Sequence, residues 1–173
     1  MQDSLEGFLE QVARRGSWIG GGSAAAFSAA LSAALLEKVS TEASSRGPLR
    51  RARQECLRLV ERDAAVFSRV IQATRAKRPA VFRTALKEAT EVPCRIVAHA
   101  AALQQACQLA QRRVKPRFQS DLRCARALAR AAMASAEALI ATNLTWLNDR
   151  GYAAAVRRHV RAASRVSRRA PPD

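Results

Sequence analysis

The chain has 173 residues, of which 49% are hydrophobic and 5% aromatic, and its 26 Arg and 4 Lys against 14 acids give a net charge of +16. This length fits one domain, residues 1–173, and the abundant alanine predicts helices that pack closely. No stretch is apolar and long enough to span a bilayer, and Met1–Glu10 does not resemble a signal peptide. The composition therefore excludes a membrane-spanning protein and predicts a cytoplasmic one.

The positive charge has three interpretations. A GC-rich genome favours Arg over Lys without any functional meaning, a nucleic acid would need a basic surface, and so would a small polyanionic substrate. Nucleic acid is the less expected partner, because the arginines are spread along all the helices and aromatic residues for base stacking are scarce. The densest cluster lies at the C-terminal end, 157–173, which runs into Pro-Pro and is predicted to fray; it comprises Arg157, Arg158, Arg161, Arg165, Arg168 and Arg169.

Helix signals occur along the whole chain, whereas strand signals are nearly absent. The first predicted helix spans 4–15, with Asp3 as its N-cap. A glycine-rich loop, 17–22, leads to a second helix, 23–45, with Ser23 as its N-cap. Small residues on every face of this second helix predict a central, buried position.

The second half of the chain continues the helical pattern. Gly47-Pro48 predicts the end of the second helix and the start of a third, which runs to Thr74. After a basic break at 75–79, a fourth helix is predicted over 80–113, with a kink or a split caused by Pro93.

Two further helices follow the connector 114–119. Ser120 is predicted to cap the fifth, which runs to Asn148, and the sixth spans 152–167. Because the connections are short, neighbouring helices should be antiparallel. The sequence thus predicts an all-α, antiparallel bundle of about six helices, and the small residues of the second helix predict a two-fold dimer.

Cysteine and histidine spacing gives no sign of a metal site. The cysteines Cys56, Cys94, Cys107 and Cys124 lack a CxxC spacing and are predicted to be reduced thiols. No His, Cys, Asp or Glu cluster has ligand spacing, so neither a metal nor a cofactor is expected.

Gly20-Gly21-Gly22-Ser23 is the first candidate for a binding site. Glycines that end at a helix N-terminus let backbone N–H groups face an anion, which the helix dipole also favours. The alternative is a flexible turn capped by a serine.

Three further polar residues are candidates. Asp63 lies on or beside the apolar stripe of its helix, so it must be paired, protonated or solvated; a boundary salt bridge is the alternative. Asp121 follows the predicted cap Ser120. Its carboxylate either lies at the rim of a cleft or belongs to an ordinary helix start. Asn143 lies on the apolar face of its predicted helix, where its amide either binds a ligand or forms a hydrogen bond to another helix.

The order of these features is more specific than any one of them. GGGSAAA opens a small-residue helix, and Asp63-Ala-Ala-Val-Phe67, Ala85-Leu-Lys-Glu-Ala-Thr-Glu-Val-Pro93, Ser120-Asp121-Leu122 and Asn143-Leu144 follow. This order resembles the formiminotetrahydrofolate cyclodeaminase and methenyltetrahydrofolate cyclohydrolase family, over about Leu5 to Arg165.

The resemblance implies a dimeric helical bundle that binds a reduced folate, often polyglutamylated. Its reactions are the closure of 5-formiminotetrahydrofolate with release of ammonia, or the hydrolysis of methenyltetrahydrofolate, and a carboxylate can supply the proton transfer without a metal. On this basis Asp63 and Asp121 are the expected catalytic residues, with the loop containing Gly21 and the carboxylate of Asp121 within about one ligand length of each other. The expected substrate-binding residues are Gly20, Gly21, Gly22, Ser23, Arg75, Lys77, Arg78 and Asn143.

The sequence departs from the family pattern at four places. Ser17-Trp18-Ile19 replaces Pro-Thr-Pro, residues 74–78 replace Tyr-Arg-Leu-Pro-Lys, Arg123-Cys124 replaces small residues, and Leu139 replaces an Asn. These departures cluster where substrate would sit. The alternatives are therefore a catalytically silent relative that binds folate or a protein, and, more distantly, a helical nucleic-acid-binding protein.

Overall fold

The computed structural model describes residues 5–41 and 43–168. Within these residues the chain forms six α-helices and no strand, so the predicted all-α bundle of about six helices is confirmed. The helices are α1 (Leu5–Ala13), α2 (Gly21–Val39), α3 (Ala43–Arg75), α4 (Pro79–Ala110), α5 (Gln119–Leu147) and α6 (Arg150–Arg168), with a short 3-10 turn, Pro116–Phe118, before α5.

Helix α2 occupies the centre of the bundle, as its small residues predict. Eight of its ten buried residues are Gly, Ser or Ala, which lets the neighbouring helices approach closely. Ser32 illustrates the close approach, because its Oγ donates a 2.8 Å hydrogen bond to the backbone carbonyl of Ala125 on α5. Phe8 of α1 packs on Phe27 of α2, with ring centroids 5.2 Å apart.

Side-chain contacts define the directions of the helices around α2. Its C-terminal end meets the beginnings of α3 and α5, where Glu37 pairs with Arg50 at 3.0 Å and Lys38 with Asp121 at 2.8 Å. Its N-terminal end meets the middle of α3, where Ser23 Oγ lies 3.0 Å from the carboxyl of Asp63. Both neighbours therefore run antiparallel to α2, which agrees with the predicted topology.

The boundary between α2 and α3 differs from the prediction. Helix α2 ends at Val39, Ser40 is extended, and Pro48 lies inside α3 instead of starting it. The end of α2 is stabilised by Arg46, whose Nε and Nη2 both donate to the Ser40 carbonyl at 3.2 Å. Pro48 has no N–H group, so the carbonyl of Ser44 lacks its helical hydrogen bond. The proline is tolerated because Ser44 is exposed and water can reach this carbonyl.

Both serine caps that lie in the described residues are predicted wrongly. Ser23 is inside α2, where its side chain is fully buried against α3, and Ser120 is inside α5, which begins one residue earlier. The predicted cap Asp3 lies outside the described residues. Helix α4 continues through Pro93 without a split.

Helix α6 includes most of the basic C-terminal cluster and extends to Arg168. Residues 169–173, the rest of the end that was predicted to fray, lie outside the described residues. None of the helices in the described part of the chain combines the length and apolar character that a membrane crossing requires.

Candidate functional site

The carboxyl group of Asp63 lies against the first turn of α2. Ser23 Oγ is 3.0 Å from Asp63 Oδ2 and 3.1 Å from the carbonyl oxygen of Val60, both on α3. The helix N-terminus that the sequence predicts as an anion site thus already faces a carboxyl group of the same chain.

Gly22 makes this approach possible. A Cβ atom at this position would overlap the carboxyl group of Asp63, whereas one at neighbouring Gly21 would make an ordinary 3.7 Å contact with Leu139. The glycine run is therefore more than a flexible turn, because one of its members provides the space for a buried acid.

The surroundings of Asp63 make its carboxyl group easier to protonate than an ordinary aspartate. Burial raises the pKa of its carboxyl group above the ordinary value of 3.8, and hydrogen bonds from the hydroxyl and backbone N–H of Ser23 oppose that rise. The Ser23 hydroxyl carries one proton but has two oxygen neighbours. Both contacts are full hydrogen bonds when Asp63 is protonated and donates to Ser23 Oγ, while Ser23 donates to Val60.

Asn143 lies at the same end of α2. Leu139, one turn earlier on α5, faces Gly21 at the start of α2. Because residues four apart share a helix face, half-buried Asn143 lies on the same face of α5, one turn beyond the start of α2. The structure thus groups Gly20–Ser23, Asp63 and Asn143 at one end of the bundle, which we call the Asp63 end.

Two aromatic residues at this end are not among the predicted site residues. Phe67 follows Asp63 by one turn of α3 and is 37% exposed, and Trp146 follows Asn143 by one turn of α5 and is 55% exposed. Their spacing from the polar residues, four and three positions, is the signal that could have identified them.

Asp121 lies at the opposite end of α2, which we call the Asp121 end. Its carboxylate pairs with Lys38 at 2.8 Å, and the pair is partly exposed. Lys38 is 17 residues beyond Gly21, so the two ends are about 25 Å apart at 1.5 Å per residue. Within one chain, Asp121 and the glycine loop therefore do not share a groove, and the expectation that they lie within about one ligand length of each other stays a prediction for an assembly of two chains.

The basic residues Arg75, Lys77 and Arg78 lie at the tip between α3 and α4. All three are exposed, and Lys77 adopts a left-handed conformation with a φ of 51°. Arg78 and Glu88 both line an open groove of about 360 Å³ between the two helices. Because Arg75 is twelve residues beyond Asp63 on the same helix, it lies roughly 18 Å from it.

The best-defined cavity lies elsewhere. It has a volume of about 350 Å³ and lies at the α2–α3 turn, where apolar residues such as Leu36, Val39 and Leu109 line it. None of the predicted site residues borders it. The Asp63 end is the candidate site, because an acid with a raised pKa provides chemistry that an apolar cavity does not.

Metal and thiol chemistry find no support in the described residues. No three His, Cys, Asp or Glu side chains of residues 5–41 and 43–168 are close enough to hold a metal ion. All four cysteines are free thiols, and burial raises the pKa of Cys56 and Cys107 to about 12, which keeps them unreactive.

Comparisons with known proteins agree with this architecture. The family model described as formiminotransferase-cyclodeaminase matches residues 4–162. Formiminotetrahydrofolate cyclodeaminase from Thermotoga maritima has a similar fold, with a TM-score of 0.85 over 96% of this chain and 91% of that one, at 21% sequence identity. No curated protein matches the sequence. Because the family model covers nearly the whole chain, the protein belongs to the formiminotransferase-cyclodeaminase family.

Proposed function

We propose that the protein is a folate one-carbon enzyme, either a formiminotetrahydrofolate cyclodeaminase or a methenyltetrahydrofolate cyclohydrolase. The observation that carries this proposal is the carboxyl group of Asp63, which is held by Ser23 in surroundings that raise its pKa. Family membership supports the folate substrate class.

The proposed chemistry uses a protonated Asp63 as general acid. In cyclodeamination, N10 of the folate bonds to the formimino carbon and its proton passes to the formimino nitrogen. The resulting amine accepts one further proton and leaves as ammonia, and its C–N bond breaks to give the methenyl cation. A carboxyl group that remains protonated can give this proton, and such transfers contribute roughly 10²–10⁴-fold to the rate. In the hydrolase reaction, water adds to the methenyl carbon and releases one proton to solvent. The carboxyl group then protonates N5 as the bond between N5 and this carbon breaks, and it recovers a proton from the hydroxyl group, whose oxygen becomes the formyl oxygen.

Asp121 has a part in this chemistry only if two chains form the site. The outward face of α2 is apolar, with Leu31 40% exposed near the middle of the helix. A two-fold axis near Leu31 would pair two α2 helices antiparallel and place the Asp121 end of one chain beside the Asp63 end of the other. We therefore propose a homodimer in which the Asp121 carboxylate of one chain stabilises the cationic methenyl centre bound by its partner.

The remaining proposals concern binding and location. Asn143 and the backbone of Gly20–Ser23 would position the pterin, and exposed Arg75, Lys77 and Arg78 would attract a polyglutamate tail. Proton transfer by carboxyl groups needs neither a metal nor another cofactor. The four free thiols support a reducing compartment, which is the cytoplasm.

An assay of the purified protein with each substrate tests this function. Loss of the methenyl absorbance would identify the hydrolase, and release of ammonia from 5-formiminotetrahydrofolate would identify the cyclodeaminase. Calorimetry with tetrahydrofolate, measured in parallel, separates binding from turnover. A protein that shows no turnover of either substrate and does not bind folate would contradict the proposal.

The second candidate is a catalytically silent relative that binds folate or a protein. Leu139 favours it, because an apolar side chain faces Gly21 at the position where the family pattern has an amide. Folate binding without turnover is expected in that case. Leu139→Asn would then be the variant to gain activity, since it restores a hydrogen-bonding group beside the glycine loop.

A further inference from the structure

The solvent-facing side of α6 carries a continuous stripe of arginines, which we call the α6 stripe. At 100° per residue its members fall within an arc of about 100°, and from first to last they extend over roughly 22 Å of helix. All are exposed, and they are Arg150, Arg157, Arg158, Arg161 and Arg165. The opposite side of α6 is buried in the bundle through Ala153 and Val156.

The positive charge of this stripe is not neutralised within the described chain. Helix α6 contains no Asp or Glu, and none of the five arginines lies within 4.0 Å of a carboxylate of residues 5–41 or 43–168. Glu137 of α5 borders the same surface beside Arg157 and Arg161, and it accepts a 2.9 Å hydrogen bond from Ser164. Glu137 thus borders two of the five guanidinium groups, and Asp149, which precedes Arg150, is already paired with Lys87 at 3.1 Å.

The α3 helix provides the contrast. Its arginines Arg50 and Arg53 both pair with Glu37 at 3.0 Å, and Arg69 pairs with Glu88 at the same distance. Arg51 of α3 also lacks an ion pair within the described residues, so α3 combines paired and unpaired arginines, whereas all five members of the α6 stripe lack a carboxylate within 4.0 Å. The unpaired charge of α6 therefore points to a partner outside the chain.

We propose that the α6 stripe binds the phosphate backbone of double-stranded nucleic acid without sequence preference. Guanidinium groups match phosphate oxygens in a bidentate geometry, and successive members of the stripe rise by about 5–6 Å where they are three or four residues apart. No aromatic or amide side chain lies within the arc, so neither base stacking nor reading of base edges is provided. The face also lacks the large apolar residues that insert into a lipid surface.

The salt dependence of binding tests the proposal. A labelled DNA duplex and an RNA duplex of the same sequence would be titrated with the full chain by fluorescence anisotropy between about 50 and 200 mM salt. Removing three phosphate contacts in the variant R157Q/R161Q/R165Q should reduce the slope of log K against log salt by about 3 and lower the affinity at least tenfold at about 50 mM salt. A single-stranded oligomer should bind more weakly than either duplex.

The matched control removes the same charge elsewhere. Arg15, Arg51 and Arg112 are exposed and have no ion pair within the described residues, so R15Q/R51Q/R112Q should keep most of the slope. Circular dichroism should show both variants folded. An equal loss in both variants would overturn the proposal, because binding would then follow net charge. It would also be overturned if duplexes do not bind at low salt, or if phosphatidylserine vesicles or oligoglutamate bind through the stripe and duplexes do not.

Discussion

The two ends of α2 each receive an aspartate from a neighbouring helix, and the two carboxyl groups have opposite surroundings. Asp63 is half-buried against Gly22 and bonded to a hydroxyl group, and burial raises its pKa. Asp121 pairs with the partly exposed ammonium group of Lys38. The surroundings, and not the residue type, therefore distinguish the two carboxyl groups. Under the proposed function, Asp63 donates a proton and Asp121 faces the cationic centre that the partner chain binds.

The largest expected effect comes from removing the acid. Asp63→Asn keeps the shape of the side chain and its contact with Ser23, so the protein should fold normally. Turnover should fall roughly 100-fold or more, the scale of a lost general acid. Steady-state kinetics would measure it, with Glu61→Gln as a matched control, because Glu61 is an exposed carboxylate two residues away. Unchanged turnover in Asp63→Asn would remove Asp63 from the mechanism.

Mixing two inactive variants tests whether the two ends form one site. If Asp63 of one chain works with Asp121 of its partner, Asp63→Asn and Asp121→Asn are each inactive alone. A heterodimer of the two retains one intact site, so random mixing should restore about a quarter of wild-type activity. Two sites that each lie within a chain would show no recovery, because every site would carry one substitution. Light scattering on the same samples would establish whether the protein is a dimer.

Gly22→Ala tests the packing of the Asp63 end. The added methyl group would overlap the Asp63 carboxyl, so the free energy of unfolding should fall by about 1–3 kcal/mol. Gly21→Ala is the neighbouring control and should have little effect, because its methyl group makes an ordinary contact. In an Asp63→Ala background, Gly22→Ala should no longer lower the free energy of unfolding. If it still does, Gly22 is required for its backbone conformation and not for the space that it leaves for Asp63.

The pH dependence of stability should reveal the raised pKa of Asp63. Between 3.8 and the pKa in the folded protein, the folded state holds a proton that the unfolded state has released. The contribution of Asp63 to stability is therefore complete below 3.8 and declines as the pH rises through its folded-state pKa. Urea unfolding across this range should show a decline in the wild type that is absent from Asp63→Asn. Equal slopes in the two proteins would contradict the raised pKa.

The smallest effect is expected at the Asp121 end. Lys38→Gln removes an ion pair whose lysine side chain is 57% exposed, so it should cost at most about 1 kcal/mol. The difference from the wild type should shrink with added salt. Thermal unfolding at low and high salt would measure it, and a larger, salt-independent loss would indicate that the pair is buried in an assembly.

Local sequence signals located most helices but failed where a contact decides the boundary. Small residues correctly predicted a central α2, but the predicted start at Ser23 is two residues late, because α2 begins at Gly21. Gly47-Pro48 predicts the end of α2, whereas the chain turns near Ser40, whose carbonyl accepts hydrogen bonds from Arg46. This hydrogen bond joins residues six apart across a turn. The hydrophobic periodicity of a helix does not predict such a bond.

The sequence by itself determined the helical class, the central position of α2 and the family, because all three depend on local patterns and their order along the chain. It also identified Asp63 and Asp121 as carboxylates that need partners. Only the tertiary structure decided what those partners are, since Ser23 and Asp63 are 40 residues apart and meet through the antiparallel packing of α2 and α3. The physical reason is that a helical period fixes which residues share a face, whereas the packing of whole helices fixes which face of another helix they meet.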